Sequence, residues 1–166
     1  QGNVLHTIDV GAVIPELHQL KPYLANPDED LTGIDISPDG EHLIFSLNLF
    51  EGKVEGQERE SERQEAYSVN LQDDTVLPYL PEDSVRSLAW SPNGTEIAYI
   101  RPKTLNTGQL IIASPEGNCL LIPDLPPEIR SPTWSKDGSH LAFLYGFEIH
   151  IMGMDLQSAL QDSGCP

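Results

Sequence analysis

Residues 85–99 read VRSLAWSPNGTEIAY, two runs of alternating apolar residues joined by Ser-Pro-Asn-Gly. Apolar residues at every second position are typical of a half-buried strand. Asn93 and Gly94 tolerate the left-handed backbone that a tight turn requires. The stretch therefore predicts a β-hairpin, and Ile97 and Tyr99 predict one buried face on its second strand.

The same pattern occurs twice more and aligns without gaps. Residues 31–45 read LTGIDISPDGEHLIF, and residues 129–143 read IRSPTWSKDGSHLAF. A single turn of this kind is common, but three copies in register predict three equivalent hairpins. The shared positions are the turn glycines Gly40, Gly94 and Gly138 and the apolar pairs Leu43/Phe45, Ile97/Tyr99 and Leu141/Phe143.

Weaker strand patterns lie between the hairpins. Third strands are predicted at 6–10, 67–71, 110–114 and 148–152, and fourth strands at 20–24, 76–80 and 121–125. Four short antiparallel strands in roughly 40 to 50 residues form the repeat unit of a β-propeller. The sequence therefore predicts an all-β fold with about three four-stranded blades.

These repeats divide the chain into parts of one propeller segment. Helix-forming residues cluster in 52–64, but with a single apolar residue they cannot bury a face, so we interpret the stretch as a solvated loop. The predicted parts are the last two strands of a preceding blade (3–30), a blade with an acidic insertion at 51–65 (31–80), a second blade (85–125), a partial blade (129–156) and a tail (157–166).

The stretches AWSPNG at 89–94 and TWSKDG at 133–138 resemble the Trp-Ser-Pro-Asp-Gly blade motif of the TolB family of WD-repeat-like β-propellers. The resemblance covers roughly residues 4–156, with Ile36, Asn93 and Lys136 as departures from the motif. It implies a propeller in a bacterial extracytoplasmic setting, periplasmic or extracellular. It identifies a fold rather than a function, because such blades also occur in peptidases, lyases and binding modules.

About three blades do not close a ring, and an open ring exposes apolar faces. Three arrangements stay open at this point. The chain could be a portion of a longer, processed or excised protein, half of a six-bladed ring made by two copies, or a small noncanonical fold.

The charge of the chain limits its partners. Its 166 residues include 26 acidic and 9 basic side chains, a formal net charge of −17. A surface this negative repels phosphate backbones and anionic lipid, so nucleic-acid binding is disfavoured. Apolar runs are far shorter than the roughly 20 residues that cross a bilayer, so membrane insertion is not expected.

Acidic residues concentrate in the loops predicted to share one rim of the propeller. They suit a basic partner segment or a divalent cation such as calcium, although a merely solvated acidic surface fits equally well. Arg86 and Arg130 hold equivalent inner-strand positions and could bind a carboxylate or pair with neighbouring acids. The candidate ligand- or partner-binding residues are Asp28, Asp30, Glu82, Asp83, Arg86, Glu128 and Arg130.

Signals for catalysis and metal binding are weak. The sequence has no Gly-x-Ser-x-Gly, His-Glu-x-x-His or phosphate-loop motif, and His42 and His140 hold equivalent second-strand positions in different blades, so a shared metal site is not expected. Cys119 and Cys165 fall in predicted third-to-fourth-strand connections. Two free thiols are the default expectation, and a disulfide between them is the alternative.

We therefore expect a noncatalytic scaffold for protein–protein interaction, without a cofactor other than calcium. The alternative is the propeller portion of a larger hydrolase, peptidase or lyase whose catalytic residues lie outside this chain. A self-associating structural subunit is a third hypothesis.

Overall fold

The computed structural model describes residues 7–9, 14, 31–51, 61–80, 84–104, 107–114 and 119–154. These residues contain no helix, and hence none that could span a membrane. The strands are β1 (Leu31–Ile36), β2 (His42–Glu51), β3 (Ser61–Asn70), β4 (Val76–Tyr79), β5 (Arg86–Trp90), β6 (Ile97–Pro102), β7 (Gly108–Ala113), β8 (Cys119–Leu121), β9 (Ile129–Trp134), β10 (His140–Tyr145) and β11 (Glu148–Gly153).

The strands form three antiparallel sheets in chain order. The first sheet is β1-β2-β3-β4, the second is β5-β6-β7-β8, and the third is β9-β10-β11. Each predicted hairpin supplies the first two strands of its own sheet. The first strands lie side by side, with β5 between β1 and β9, as the inner strands of propeller blades do. The predicted all-β propeller segment is confirmed.

The core lies between successive sheets. We call the sheet face that carries Phe45, Tyr99 or Phe143 the front face, and the opposite one the back face. The back face of the first sheet packs on the front face of the second, where Tyr99 is 1% exposed. The back face of the second packs on the front face of the third in the same way. Successive residues of a strand point to opposite faces, so the alternation in the sequence places one set of side chains against the preceding sheet and the other set against the following sheet.

The repeated serine turns have the same hydrogen bonds in all three sheets. In the third sheet, the Ser135 hydroxyl donates to Asp137 Oδ1 at 2.6 Å and accepts from the His140 N–H at 2.9 Å. The turn glycine N–H donates to the serine carbonyl at 2.9 Å in each copy. Neighbouring turns lie close together, because a Cβ on Gly94 would be 3.6 Å from Pro38 Cδ. Turn chemistry therefore explains the motif serines, with no catalytic role required.

These turns predict acid sensitivity. Hydrogen bonds from Ser37 lower the pKa of Asp39, and those from Ser135 and Ser139 lower the pKa of Asp137. A lowered folded-state pKa stabilises the fold above the ordinary aspartate pKa of about 3.9, and this contribution is lost as the pH falls through the folded value. We expect the double variant Asp39→Asn/Asp137→Asn to lose less unfolding free energy than the wild type between pH 6 and pH 2.

Urea unfolding at a series of pH values measures this difference. Asparagine keeps the acceptor oxygen, as Asn93 does in the second sheet, where it accepts from Ser91 at 2.5 Å. A matched control is Asp124→Asn, which removes a carboxylate that is also exposed but lies outside the serine turns. Equal acid losses in the wild type and the double variant would contradict the prediction.

Specific hydrogen bonds join one sheet to the next. Asp35 of β1 accepts from the Trp90 N–H of β5 at 2.8 Å, and Trp134 Nε1 of β9 donates to the Ala89 carbonyl at 3.3 Å. The Val85 N–H, just before β5, donates to the Gln64 carbonyl of β3 at 3.3 Å. The inner strands are thus held in a fixed relation by bonds as well as by packing.

The acidic insertion is shorter than expected. β2 continues to Glu51 and β3 begins at Ser61, so the predicted loop at 51–65 is wrong at both ends, and only 52–60 lie outside the described residues. The pairs Leu49↔Arg63 and Phe50↔Glu62 continue the ladder beyond the apolar pattern. Backbone hydrogen bonds extend a two-stranded ladder without needing a buried face, so apolar periodicity underestimates its length.

The fourth strand of the second sheet also differs from its prediction. β8 spans Cys119–Leu121 instead of 121–125, because Leu121, not Pro123, occupies the position equivalent to Pro78. Leu121 is the last residue of β8, and Pro123 lies beyond it. At the N-terminus, Thr7–Asp9 and Ile14 are described and are not in strands. The third strand predicted at 6–10 is therefore wrong at 7–9, whereas the fourth strand predicted at 20–24 and the rest of 3–30 lie outside the described residues.

Candidate functional site: the upper end of the third sheet

The β10–β11 turn presents an exposed aromatic side chain. Tyr145 and Glu148 are paired, so the turn consists of Gly146 and Phe147 alone. Gly146 has φ 57, which glycine adopts without the cost that a Cβ imposes. Phe147 is therefore held at the end of a two-residue turn, and its side chain is 109% exposed. We call the end of the sheets that carries this turn the upper end.

Arg130 braces this turn from the neighbouring strand. It pairs with Leu144 across β9 and β10, and its guanidinium donates from Nη2 to the Gly146 carbonyl at 3.2 Å. Glu128 and Arg130 are both exposed. An aromatic ring, a cation and a carboxylate thus share the upper end of one sheet.

His150 forms a second cluster on the front face. It lies on β11, three residues after Phe147. Its ring stacks on Phe143 with centroids 5.5 Å apart and meets the edge of Tyr145 at 5.7 Å. Its Nε2 lies 3.1 Å from Glu148 Oε2. Two aromatic contacts and a carboxylate fix the imidazole, and no hydroxyl or thiol is among its hydrogen-bond partners in the described part of the chain.

This upper end is chemically suited to contact a protein surface. A large exposed aromatic on a rigid turn can anchor in a partner's pocket, and a neighbouring arginine and carboxylates can set its orientation. We call this surface, formed by Glu128, Arg130, Tyr145, Phe147, Glu148 and His150, the tip surface.

The structure describes three of the seven predicted binding residues. Glu128 and Arg130 lie at the tip surface, and Arg86 holds the equivalent place on β5, since Arg86 pairs with Ile100 as Arg130 pairs with Leu144. The expected pairing of Arg130 with an acid is not seen among the described residues. The other four, which remain predictions, lie outside them: Asp28, Asp30, Glu82 and Asp83.

No metal cluster occurs in the described ranges, where no three His, Cys, Asp or Glu side chains converge. His42 and His140 occupy equivalent positions on β2 and β10, in separate sheets. Those acidic residues of the predicted rim that the structure describes do not form a group of three. Calcium binding by the remaining acidic residues of the rim stays a prediction.

Cys119 is disulfide-bonded rather than a free thiol, and it is 5% exposed at the start of β8 instead of in a loop. The chain has two cysteines, so Cys165 is the one intrachain partner that the sequence offers, although it lies outside the described residues.

The predicted pairing of Cys119 with Cys165 can be tested directly by alkylation. Iodoacetamide should label neither cysteine in the unfolded, unreduced protein and both after reduction, as intact mass shows. Labelling without reductant would contradict the pairing.

Sequence reasoning found Arg130 and Glu128 but missed Phe147 and the His150 cluster. The available signal was local: Gly146 and Phe147 separate two strands by two residues, and a Gly-X pair is typical of a two-residue hairpin turn whose second residue points to solvent. Phe147 is the apolar residue at that second position.

Comparisons with known proteins support the fold. Neither the family models nor the curated proteins include a match to this chain. Among solved structures, it is similar to TolB from Acinetobacter baumannii over 76% of this chain and 30% of that one, with a TM-score of 0.53 and 17% identity. The chain has a TolB-like β-propeller fold.

Two further structures share it. Kuenenia stuttgartiensis hydrazine synthase matches 78% of this chain and 42% of that one, with a TM-score of 0.55 and 19% identity. Pyrococcus horikoshii acylaminoacyl peptidase matches 69% of this chain and 17% of that one, with a TM-score of 0.51 and 19% identity. This chain spans less than half the length of each of the three structures. At such identities the likeness concerns the fold alone, since one fold serves unrelated activities.

Proposed function

We propose that this chain is a noncatalytic propeller scaffold that binds a protein partner through the tip surface. The observation that carries the proposal is the full exposure of Phe147 on a two-residue turn that Arg130 braces. A large aromatic side chain held in water on a short turn can fill a pocket of a partner, as the aromatic anchors of protein interfaces do.

The charge of the chain defines the partner. The net charge of −17 and the acidic residues of the predicted rim favour a partner with basic residues around an apolar pocket, and the same carboxylates suit a hard divalent cation such as calcium. Arginine and aromatic residues dominate binding energy at protein interfaces, whereas acidic rims mainly raise the association rate. An extracytoplasmic location, periplasmic or extracellular, belongs to this proposal, since secreted proteins retain disulfides such as that of Cys119.

Photo-crosslinking at position 147 tests the proposal in cells that naturally produce the protein. With benzoylphenylalanine in place of Phe147, we expect one discrete crosslinked product, whose partner is then identified and purified. Phe147→Ala should weaken binding of that partner about tenfold or more, as the loss of an interface anchor does. The urea midpoint should not change, because the side chain is fully exposed.

The matched control is Leu77, an apolar side chain that is 60% exposed on β4 of the first sheet. Benzoylphenylalanine at position 77 should give no product, and Leu77→Ala should leave binding unchanged. Equal products at both positions, or equal affinities of the two alanine variants, would contradict the proposal.

The alternative function is the propeller portion of a larger hydrolase or peptidase. The similarity to acylaminoacyl peptidase, of which this chain matches 17%, favours considering it. In that case the complete protein would contain a Gly-x-Ser-x-Gly motif and react with a fluorophosphonate probe, whereas the 166-residue chain would not. A partner crosslinked at Phe147 would then be the catalytic domain of the same polypeptide.

A further inference from the structure

The back face of each sheet carries four side chains at equivalent positions, two on its second strand and two on its third. The pairing registers of the three sheets define this equivalence. The sets are Ile44, Ser46, Ala66 and Ser68 in the first sheet, Ala98, Ile100, Leu110 and Ile112 in the second, and Ala142, Leu144, Ile149 and Ile151 in the third.

Only the third of these back faces is uncovered. In the second sheet, all four side chains are 0% exposed under the third sheet. At the same positions of the third sheet, Ile149 is 71% exposed and Ile151 is 69% exposed. The third sheet thus carries apolar side chains in water at the positions that a neighbouring sheet covers in the second.

The opposite side of the molecule shows the same feature at its inner strand. Ile34 and Ile36 of β1 are 59% and 54% exposed on the front face. Leu88, at the position equivalent to Ile34 on β5, is 6% exposed because the first sheet covers it. Exposed apolar residues therefore occur where the stack of sheets stops, and their positions follow the repeat.

We propose that the back face of the third sheet seats a further four-stranded sheet of the same repeat, joined to it in one polypeptide. In both described interfaces, the covering front face presents leucine or isoleucine and, two residues later, phenylalanine or tyrosine. The second strand of the further sheet must carry the same pair to fill the space above Ile149 and Ile151.

A second copy of this chain does not supply that cover. Its first sheet has the matching front face, but Phe45 and Tyr67 are already buried there, 1% and 7% exposed, against Ile8 and Ile14 of their own chain. The exposed Ile34 and Ile36 lie on the inner strand, whereas Ile149 and Ile151 lie on the third. The front faces of its other two sheets are covered by their neighbours.

Paired aspartate substitutions test whether the face is open. In the 166-residue chain, Ile149→Asp/Ile151→Asp should leave the urea midpoint unchanged, because the side chains are in water. The matched control, Leu110→Asp/Ile112→Asp, places the same charges at the equivalent covered positions and should abolish cooperative unfolding. A comparable loss in both variants would overturn the proposal.

An extended chain tests the occupant. The full chain is followed by a second copy of residues 126–154, whose front face already covers the equivalent residues of the second sheet. Hydrogen–deuterium exchange of residues 148–153 should slow about tenfold or more, and the urea midpoint should rise. Ile149→Asp/Ile151→Asp in the extended chain should abolish both effects.

A second extension, with residues 82–113 in place of 126–154, covers the case in which the first does not fold. If neither extension slows exchange in residues 148–153, the proposal is wrong. Light scattering on the unextended chain adds an independent outcome. A dimer that Ile149→Asp/Ile151→Asp dissociates would show that a second copy occupies the face, and would overturn the assignment.

Discussion

Leu141→Ala is expected to lower the free energy of unfolding by about 2–5 kcal/mol. Leu141 is 0% exposed on the front face of the third sheet, where it packs with Ala98 and Ile112 of the second. Truncation removes three carbon atoms from a contact that two separate sheets form, and neither sheet can close the cavity without moving as a whole. The cost should therefore include a cavity contribution in addition to the lost transfer free energy.

The control is Leu77→Ala, which makes the same chemical change at a strand position that is 60% exposed. The two substitutions share their change in strand propensity, so their difference isolates the burial between sheets. We expect a loss of less than about 0.5 kcal/mol at Leu77. Urea unfolding measures both as midpoint shifts at constant slope.

Similar small losses at both positions would show that the third sheet does not pack on the second. If Leu141→Ala does not fold, Ile112→Val removes one methylene from the same interface and should cost about 0.5–1.5 kcal/mol. The milder variant keeps the measurement in a range where a cooperative transition remains.

The hairpins were predictable because their signals are local. The turn glycine Gly94 and the alternation through Ile97 and Tyr99 each act within a few residues, and together they determine the register and the buried face. The packing of the sheets on one another was predictable from the repetition. Three sheets with equivalent apolar faces can bury those faces only if the sheets pack face to face.

Features that depend on partners distant in sequence were not predictable. The bond from the Trp90 N–H to Asp35 joins residues 55 positions apart, and nothing in either local pattern marks it. β8 was misplaced because the prediction used Pro78 and Pro123 as equivalent, while the ladder pairs by backbone position. The exposure of Phe147 was not predicted, because apolar residues are expected to be buried.

A glycine explains how closely the first two sheets approach. Gly33 lies in β1 beside a register shift, and a Cβ at this position would lie 3.1 Å from the Leu88 nitrogen, 3.2 Å from Ser46 Oγ and 3.3 Å from Ser87 Cα. Two of these atoms belong to the backbone of β5 and cannot rotate away. The side chain is excluded by the space between the inner strands, as it is wherever two backbones meet.

Gly33→Val should therefore cost about 1–3 kcal/mol, since valine must separate β1 from β5 and weaken the contact between Asp35 and the Trp90 N–H. Gly153→Val is the matched control, because nothing lies within 4 Å of a Cβ at that position of β11. Both changes introduce the same β-branched residue into a strand, so any general gain in strand propensity cancels. The prediction would be contradicted if Gly33→Val lowered the urea midpoint as little as Gly153→Val does. The inner strands β1 and β5 would then not approach this closely, and the sheets would not be arranged around a common centre.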